Sequence, residues 1–434
     1  MKNFCRARLI LIGITAMLIL VACGGGGGPD NLSQKNPDPC TITPKKYGDV
    51  TIPNTYQGIF EIPQATGKLP SHVTRSMDLK DLDAWWSKAA SSGCNDKEAY
   101  IRNVYVEDLN RMSQLGVQQI WIFNYGPWDD FSKSIWSIAP SDYAIPQNVV
   151  DFIVQEASKR GIKVLLSWQM NTSDKVSGWN SLETGEAMSK DTLLKIMASY
   201  KKHILEQAQH ANTIGLYGLA ADLGAFNPQV MRTNPEFREI YISAISDVID
   251  EIKKVFDGKI HYGQYDSIID ERIISKIDEM INVVWLGSEL PKEQISVSAF
   301  RDSVSNAISW FKQRYDSALG GNYADLPITW TIYGQSTIDF YTQNGYLEDS
   351  FCFTPCAQNS VTTDFSIQAV AIEGALEAIA SQSHFRTGSV SLTNYWHTDD
   401  LNPTPVTGNT AFPNISSSIR NKPAEGIVKS WYSK

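Results

Sequence analysis

Two hydrophobic rhythms alternate along this chain. Short runs rich in β-branched and aromatic residues read as strands: Y-Q-G-I-F (56–60), V-Q-Q-I-W-I-F (117–123), K-V-L-L-S-W (163–168), I-G-L-Y-G-L-A-A (214–221), K-I-H-Y-G-Q-Y (259–265), I-N-V-V-W-L (281–286), P-I-T-W-T-I-Y (327–333) and S-V-S-L-T-N-Y-W (389–396). The longer segments between them carry apolar residues at helical spacing. The clearest opens on Asn234-Pro235-Glu236, which supplies an N-cap, a proline at the first helical position and an acid in the first turn. Phe237, Ile240, Tyr241, Ala244, Ile245, Val248, Ile252 and Val255 then form one face, and Gly258 is expected to stop the helix. Asp191 is expected to cap a similar segment through Leu194, Met197, Tyr200, Ile204 and Ala208. Residues 297–315, 363–382 and Ile268 to Met280 read as further helices. Gly116, Gly161 and Gly258 each stand between a helix end and the next strand, as αβ loops require.

Several of the strand runs are apolar without interruption, which suits a parallel sheet covered on both faces. Eight strands alternating with helices, with no Pro/Gly/Ser-rich linker among them, predict one α/β domain. The expected fold is a (β/α)8 TIM barrel spanning 55–434. No internal sequence repeat is visible.

The beginning of the chain follows another logic. Lys2, Arg6 and Arg8 precede the apolar stretch Leu9 to Ala22, which is short for a membrane span and reads as a signal peptide over 1–22. Leu20-Val21-Ala22-Cys23 resembles the bacterial lipobox, which implies cleavage before Cys23 and lipidation of its thiol. Gly24, rather than Asp, follows that cysteine, so the expected location is the cell envelope, in a Gram-negative cell the outer membrane. The alternative is an uncleaved N-terminal anchor. Within 23–54, glycines 24–28, Pro29 and the polar residues up to about Pro39 cannot pack and read as a flexible tether, followed by an N-terminal segment.

Formal net charge is −9, and loss of the three basic leader residues makes the remainder more acidic. Nucleic acid and anionic lipid surfaces are therefore poor partners, and membrane attachment is expected through the N-terminal lipid alone. With Cys5 in the leader and Cys23 lipidated, Cys40, Cys94, Cys352 and Cys356 remain. An even number in an exported protein fits two disulfides. C-F-T-P-C (352–356) suggests a local staple, leaving Cys40 for Cys94, although four cysteines permit three connectivities. A zinc site is the rival reading, but the histidines are scattered.

In such a barrel, chemistry is expected at the C-terminal strand ends. Reading those ends in order gives Glu61; Asn124, Tyr125, Trp128, Asp129 and Asp130; Trp168, Gln169, Asn171 and Asp174; then Asp222. Gln264, Tyr265 and Asp266, then Trp285, Ser288 and Glu289, then Tyr333 and Gln335 follow, with Asn394, Tyr395, Trp396, His397, Asp399 and Asp400 last. Aromatic faces stack on sugar C–H surfaces while amides and acids bind hydroxyls, so a poly- or oligosaccharide partner is expected. Asn124, Trp128, Asp129, Trp168, Tyr265, Tyr333, Gln335 and Trp396 are the substrate-binding candidates. Plain packing is the competing role for each strand-end tryptophan; Trp310 and Trp431 read as packing residues on helices. Asp129-Asp130 could contact calcium, but nothing singles them out, and no metal or cofactor is expected. Phosphate-loop, H-E-x-x-H and G-x-S-x-G patterns are absent.

Gly58-Ile59-Phe60, the 214–226 stretch, Gly258-Lys259-Ile260, Leu326-Pro327-Ile328 and the terminal I-R-N-K-P-A-E-G-I-V-K-S-W-Y (419–432) together resemble clan A glycoside hydrolases, in particular single-domain mannanase-like members. The resemblance implies a Glu acid/base after strand 4 and a Glu nucleophile after strand 7. Asp222 falls at the first position, one methylene shorter. At the second, P-I-T-W-T-I-Y-G (327–334) departs from the family's Pro-Ile-x-x-Thr-Glu-x-Gly and places Ile332 where the nucleophile belongs. Paired carboxylates stand ~5 Å apart for retention and ~6.5–9.5 Å for inversion. Three readings follow: a hydrolase pairing Asp222 with Asp266 or Glu289, a glycan-binding barrel without catalysis, or an interaction scaffold. Each acid also has a structural role to weigh. Asp222 could cap a loop, Asp266 could cap the next helix, and Glu289 could be a solvated loop acid.

Overall fold

Eight parallel strands pair in chain order and close on themselves. They are β1 (Thr74–Leu79), β2 (Gln119–Tyr125), β3 (Lys163–Gln169), β4 (Gly218–Ala220), β5 (Lys259–Tyr262), β6 (Glu279–Trp285), β7 (Ile328–Tyr333) and β8 (Thr387–Tyr395). Helices α1 (Lys97–Leu115), α2 (Gln147–Ser158), α3 (Lys190–Ile214), α4 (Pro235–Val255), α5 (Glu271–Ile274), α6 (Val297–Leu319), α7 (Ile338–Thr342), α8 (Phe365–Ser381) and α9 (Pro423–Tyr432) intervene or follow. The computed structural model describes residues 40–41, 58–79, 93–125, 146–169, 189–221, 234–263, 268–287, 290–342, 363–395 and 416–433, all within the unit Pro39–Lys434. The α/β barrel expected from the hydrophobic pattern is the observed fold.

Strand 1 is not where the pattern put it. Gly58, Ile59 and Phe60 form no strand; Ile59 N donates to Asp364 Oδ2 (3.3 Å) and Phe60 N to Ser366 Oγ (3.1 Å), beside the start of α8. Glu61 accordingly is an exposed residue of this docked segment and not a strand end. The true β1, T-R-S-M-D-L, reads as polar because its polar residues are turned inward. Met77 and Leu79 join the core under the helices, while Ser76 and Asp78 alternate with them and are also buried.

Several helix expectations are corrected too. Asp191 lies in the first turn of α3, paired with Lys195 at 2.7 Å, and does not cap it. The segment Ile268 to Met280 holds only α5, capped by Asp270, because β6 begins at Glu279. Asn234 does cap α4, accepting from Glu236 N and Phe237 N at 3.1 and 3.2 Å. That helix ends before Gly258, which is needed for a different reason: a Cβ there would stand 2.2 Å from the Phe256 ring. Gly116 and Gly161 do adopt the left-handed conformation expected of αβ loops. Of the two helical tryptophans, Trp431 is buried and donates to Glu373 Oε2 (2.7 Å). Trp310 is 56% exposed, with the Arg314 guanidinium over its ring. Its helix has its apolar side elsewhere, at Phe300, Val304, Ile308, Phe311 and Tyr315.

The last turn of the chain locks the barrel shut. Buried Arg420 pairs with Glu107 (2.8 Å) and Asp108 (2.6 Å) of α1, and Arg111 of α1 pairs with Glu425 of α9 (2.9 Å). Tyr395 at the end of β8 donates to the same Glu425 (3.1 Å), and Tyr432 donates to the carbonyls of Ser76 and Val390. Cys40 and Cys94 form a disulfide, whereas Cys23, Cys352 and Cys356 lie outside the described residues.

Candidate functional site

Register decides which side chains meet inside the barrel. In an eight-stranded barrel with its usual stagger, inward residues stack in layers contributed by alternate strands. The pairings place Ser76, Leu165, His261 and Thr329 lowest, then Trp121, Ala220, Ile281 and Ser391. Trp121, Ala220 and Ile281, with Leu165, accordingly form a small apolar cluster separate from the main core. Above them come Asp78, Ser167, Thr331 and Gly263, the last just past β5, and then Phe123, Val283 and Thr393 below the mouth. Trp285 and Tyr333 finish their strands at the C-terminal end.

At this end the structure builds an aromatic platform. Trp285 and Tyr333 are register partners whose rings stack in parallel, centroids 4.7 Å apart with 2° between planes, backed by Phe340 of α7. Trp285 is half-buried and Tyr333 fully buried, so the indole is the exposed member. Gln335 Nε2 donates to Tyr333 Oη at 3.1 Å, so these two candidates are in direct contact. Phe123, also half-buried, stacks on Trp121 beneath it at 4.4 Å.

The strand-7 end is held rigidly from behind. Gln368 Nε2 donates to Gly334 O (3.1 Å) and Ser417 O (2.9 Å), while Ser336 Oγ donates to Gln368 Oε1 (2.9 Å). Lys422 Nζ, buried, donates to Ser336 Oγ and Ser416 O, both at 2.9 Å. A positioned amide and phenol follow from this bracing.

Ile332 faces the other way. It is 1% exposed and packs in the core between barrel and helices, while its neighbours Thr331 and Tyr333 take the inward phase. Position 332 is therefore a packing position, and β7 ends in a buried phenol followed by a buried amide.

The described carboxylates of the interior are Asp78 and Glu279. Asp78 Oδ1 accepts from Ser391 Oγ at 2.7 Å. Glu279 sits at the opposite, N-terminal end with Thr329 and Ser389 hydroxyls on Oε1. Asp78 was missed in the sequence because strand 1 was misplaced; the alternation of Ser76 and Asp78 with Met77 and Leu79 was the available signal. His261, paired in register with Glu279, is fully buried; desolvation depresses its pKa, against the pull of Glu279 and Asp278.

Asn124 and Trp168 occupy paired register positions at the ends of β2 and β3. Trp128, Asp129, Asp222, Tyr265, Asp266, Glu289 and Trp396 lie outside the described residues. Among the described residues, no group of three or more His, Cys, Asp or Glu could hold a metal ion, and no helix is long and apolar enough to cross a membrane.

No protein-family model matches the sequence, and no curated protein matches it. Solved structures do. A GH113 β-1,4-mannanase aligns with a TM-score of 0.52 at 14% identity, covering 84% of this chain and 99% of its own. A GH113 β-mannanase from Alicyclobacillus acidocaldarius aligns with a TM-score of 0.53 at 12% identity, covering 84% and 97%. At these identities the likeness establishes the fold, a barrel of the glycoside-hydrolase type, and not the reaction.

Proposed function

We propose that this protein acts on a polysaccharide laid across the C-terminal mouth, as a glycoside hydrolase whose carboxylates do not follow the β4–β7 pairing. The Trp285–Tyr333 platform carries the proposal: a partly exposed indole, held flat on a buried phenol that Gln335 fixes from behind, is suited to a sugar ring's C–H face. The likeness to GH113 β-1,4-mannanases makes β-1,4-linked mannan the first substrate to try. Asp222 is the first proposed carboxylate. It stands two residues beyond Ala220, in phase with Gly218 and Ala220 on β4. Asp266 or Glu289 is its proposed partner, one acid protonating the leaving oxygen while the other attacks or activates water. Trp128, Asp129, Tyr265 and Trp396 are proposed to line the same mouth, whereas Asn124 and Trp168 occupy register positions out of phase with inward Phe123 and Ser167. The leader and Cys23 support a lipid anchor in the cell envelope, with the Gly-rich tether that follows Cys23 as the connection.

One observation favours a second reading, glycan binding without hydrolysis: β7 turns Tyr333 inward and buries Ile332 outward. The two separate in one experiment. Purified wild type and Asp222→Asn are incubated with β-1,4-mannan and a panel of other polysaccharides, scoring retention and new reducing ends. Hydrolysis by Asp222 predicts reducing ends that fall about 10²–10⁴-fold in the variant. Retention of a glycan by both proteins with no reducing ends supports the binding reading, and no retention by either removes both.

A further inference from the structure

The interior layer below the mouth is unlike the usual filling of this barrel, where bulky branched side chains dominate. It consists of Asp78, Ser167, Thr331 and a glycine, Gly263. On the adjoining β4 the inward positions are Gly218 and Ala220. Small residues therefore line the β4–β5 side, and hydroxyls face them from β3 and β7.

Those hydroxyls are buried and unanswered. Ser167 Oγ, Thr331 Oγ1, both ring nitrogens of His261 and Trp121 Nε1 have no hydrogen-bond partner, and the four residues are 0–2% exposed. The register brings two of them together: Ser167 on β3 and His261 on β5 flank Ala220, the small inward residue of β4, while Thr331 lies across the lumen on the opposite strand. Ser391 shows that direct pairing is made where reach allows, on Asp78 at 2.7 Å. An orphaned buried polar group forfeits its hydration without compensation, and native interiors leave few of them. A neutral imidazole brings one donor and one acceptor, and a hydroxyl brings both, which matches the two to four partners that an internal water takes.

We propose that the barrel encloses a bound-water site between β3 and β5, over Ala220, with Ser167 Oγ and His261 as its partners. It is independent of the glycan reading. Water occupies the volume that a branched side chain fills in other barrels and keeps the floor of the cleft polar. Its route to bulk solvent passes the layer of Phe123, Val283 and Thr393.

A high-resolution crystal structure of the protein tests this directly. The expected result is ordered density about 2.7–3.2 Å from both Ser167 Oγ and a His261 nitrogen. A Ser167 hydroxyl found bonded to a protein carbonyl, with no density between it and His261, would overturn the site. So would a sphere held at about 2.4 Å by six or more oxygens, the signature of a cation. Thermal unfolding of Ser167→Ala gives an independent reading. It is expected to lower the midpoint by a few degrees, because the water loses a partner while shape is nearly kept. An unchanged or raised midpoint would mean a dry seam and count against the proposal.

Discussion

Thr331 and Ile332 are consecutive on β7 and face opposite environments. Outward from the sheet, Ile120, Ile122, Val164, Leu166, Leu219, Ile260, Met280, Val284, Ile328, Ile332, Val390 and Leu392 form one apolar shell under the helices. Inward, Ser76, Asp78, Ser167, His261, Thr329, Thr331, Ser389 and Ser391 give the same strands a mostly polar lumen. The difference teaches where stability resides. The outer shell supplies the burial that holds the fold, at about 25 cal/mol per Å² of apolar surface. The inner face is thereby free to be polar, and its top layer to be aromatic.

The sharpest way to break this comparison is to exchange the two environments. Ile332→Glu puts a carboxylate on the packed outer face, at the position where the sequence resemblance implies a nucleophile. We expect a loss of several kcal/mol, read as insoluble protein or a collapsed unfolding midpoint, and no gain of hydrolysis. A folded, newly active variant would mean that position 332 reaches the mouth. Next in size is the ionic lock of the last segment. Arg420→Met leaves Glu107 and Asp108 buried without their guanidinium, and about 3–5 kcal/mol of stability should disappear in denaturant titration.

Trp285→Ala should reverse that ranking. The half-buried indole contributes less to folding than Ile332, while glycan affinity should drop about tenfold by calorimetry or affinity electrophoresis, in line with ~0.5–1.5 kcal/mol for an aromatic contact. Undiminished binding would remove the platform from the site. A smaller effect is expected from acid. Burial holds the His261 pKa below its ordinary 6.5, so between that lowered value and 6.5 the unfolded chain binds a proton that the folded one refuses. Stability is then full above pH 6.5 and falls as pH drops, and His261→Gln should flatten part of that slope in midpoint-versus-pH measurements. Smallest of all, Trp310→Ala on the exposed face of α6 should stay within about 0.5 kcal/mol of wild type.

The barrel was legible because outward strand positions and helix faces are apolar at periods of 2 and 3.6, as in Val164–Leu166 and Ile245–Ile252. Strand 1 was illegible for the complementary reason: with a polar lumen, T-R-S-M-D-L has no apolar inward face, while Y-Q-G-I-F imitates one. The candidate site was half legible. Strand-end aromatics named Trp285 and Tyr333, but neither their stacking nor the bracing by Gln368 and Lys422, residues 30 or more positions away in sequence, leaves a local pattern.

Composition and periodicity by themselves determined an acidic chain and an eight-stranded parallel barrel. Only the tertiary structure decided that Ile332 points to the helices, that Asp78 points into the lumen, and that Ser167, Thr331 and His261 share it. The reason is geometric. Propensity and periodicity are carried by neighbours along the chain, whereas the inner layers are assembled by stagger between strands far apart in sequence, and a shift of one residue turns every side chain to the opposite face.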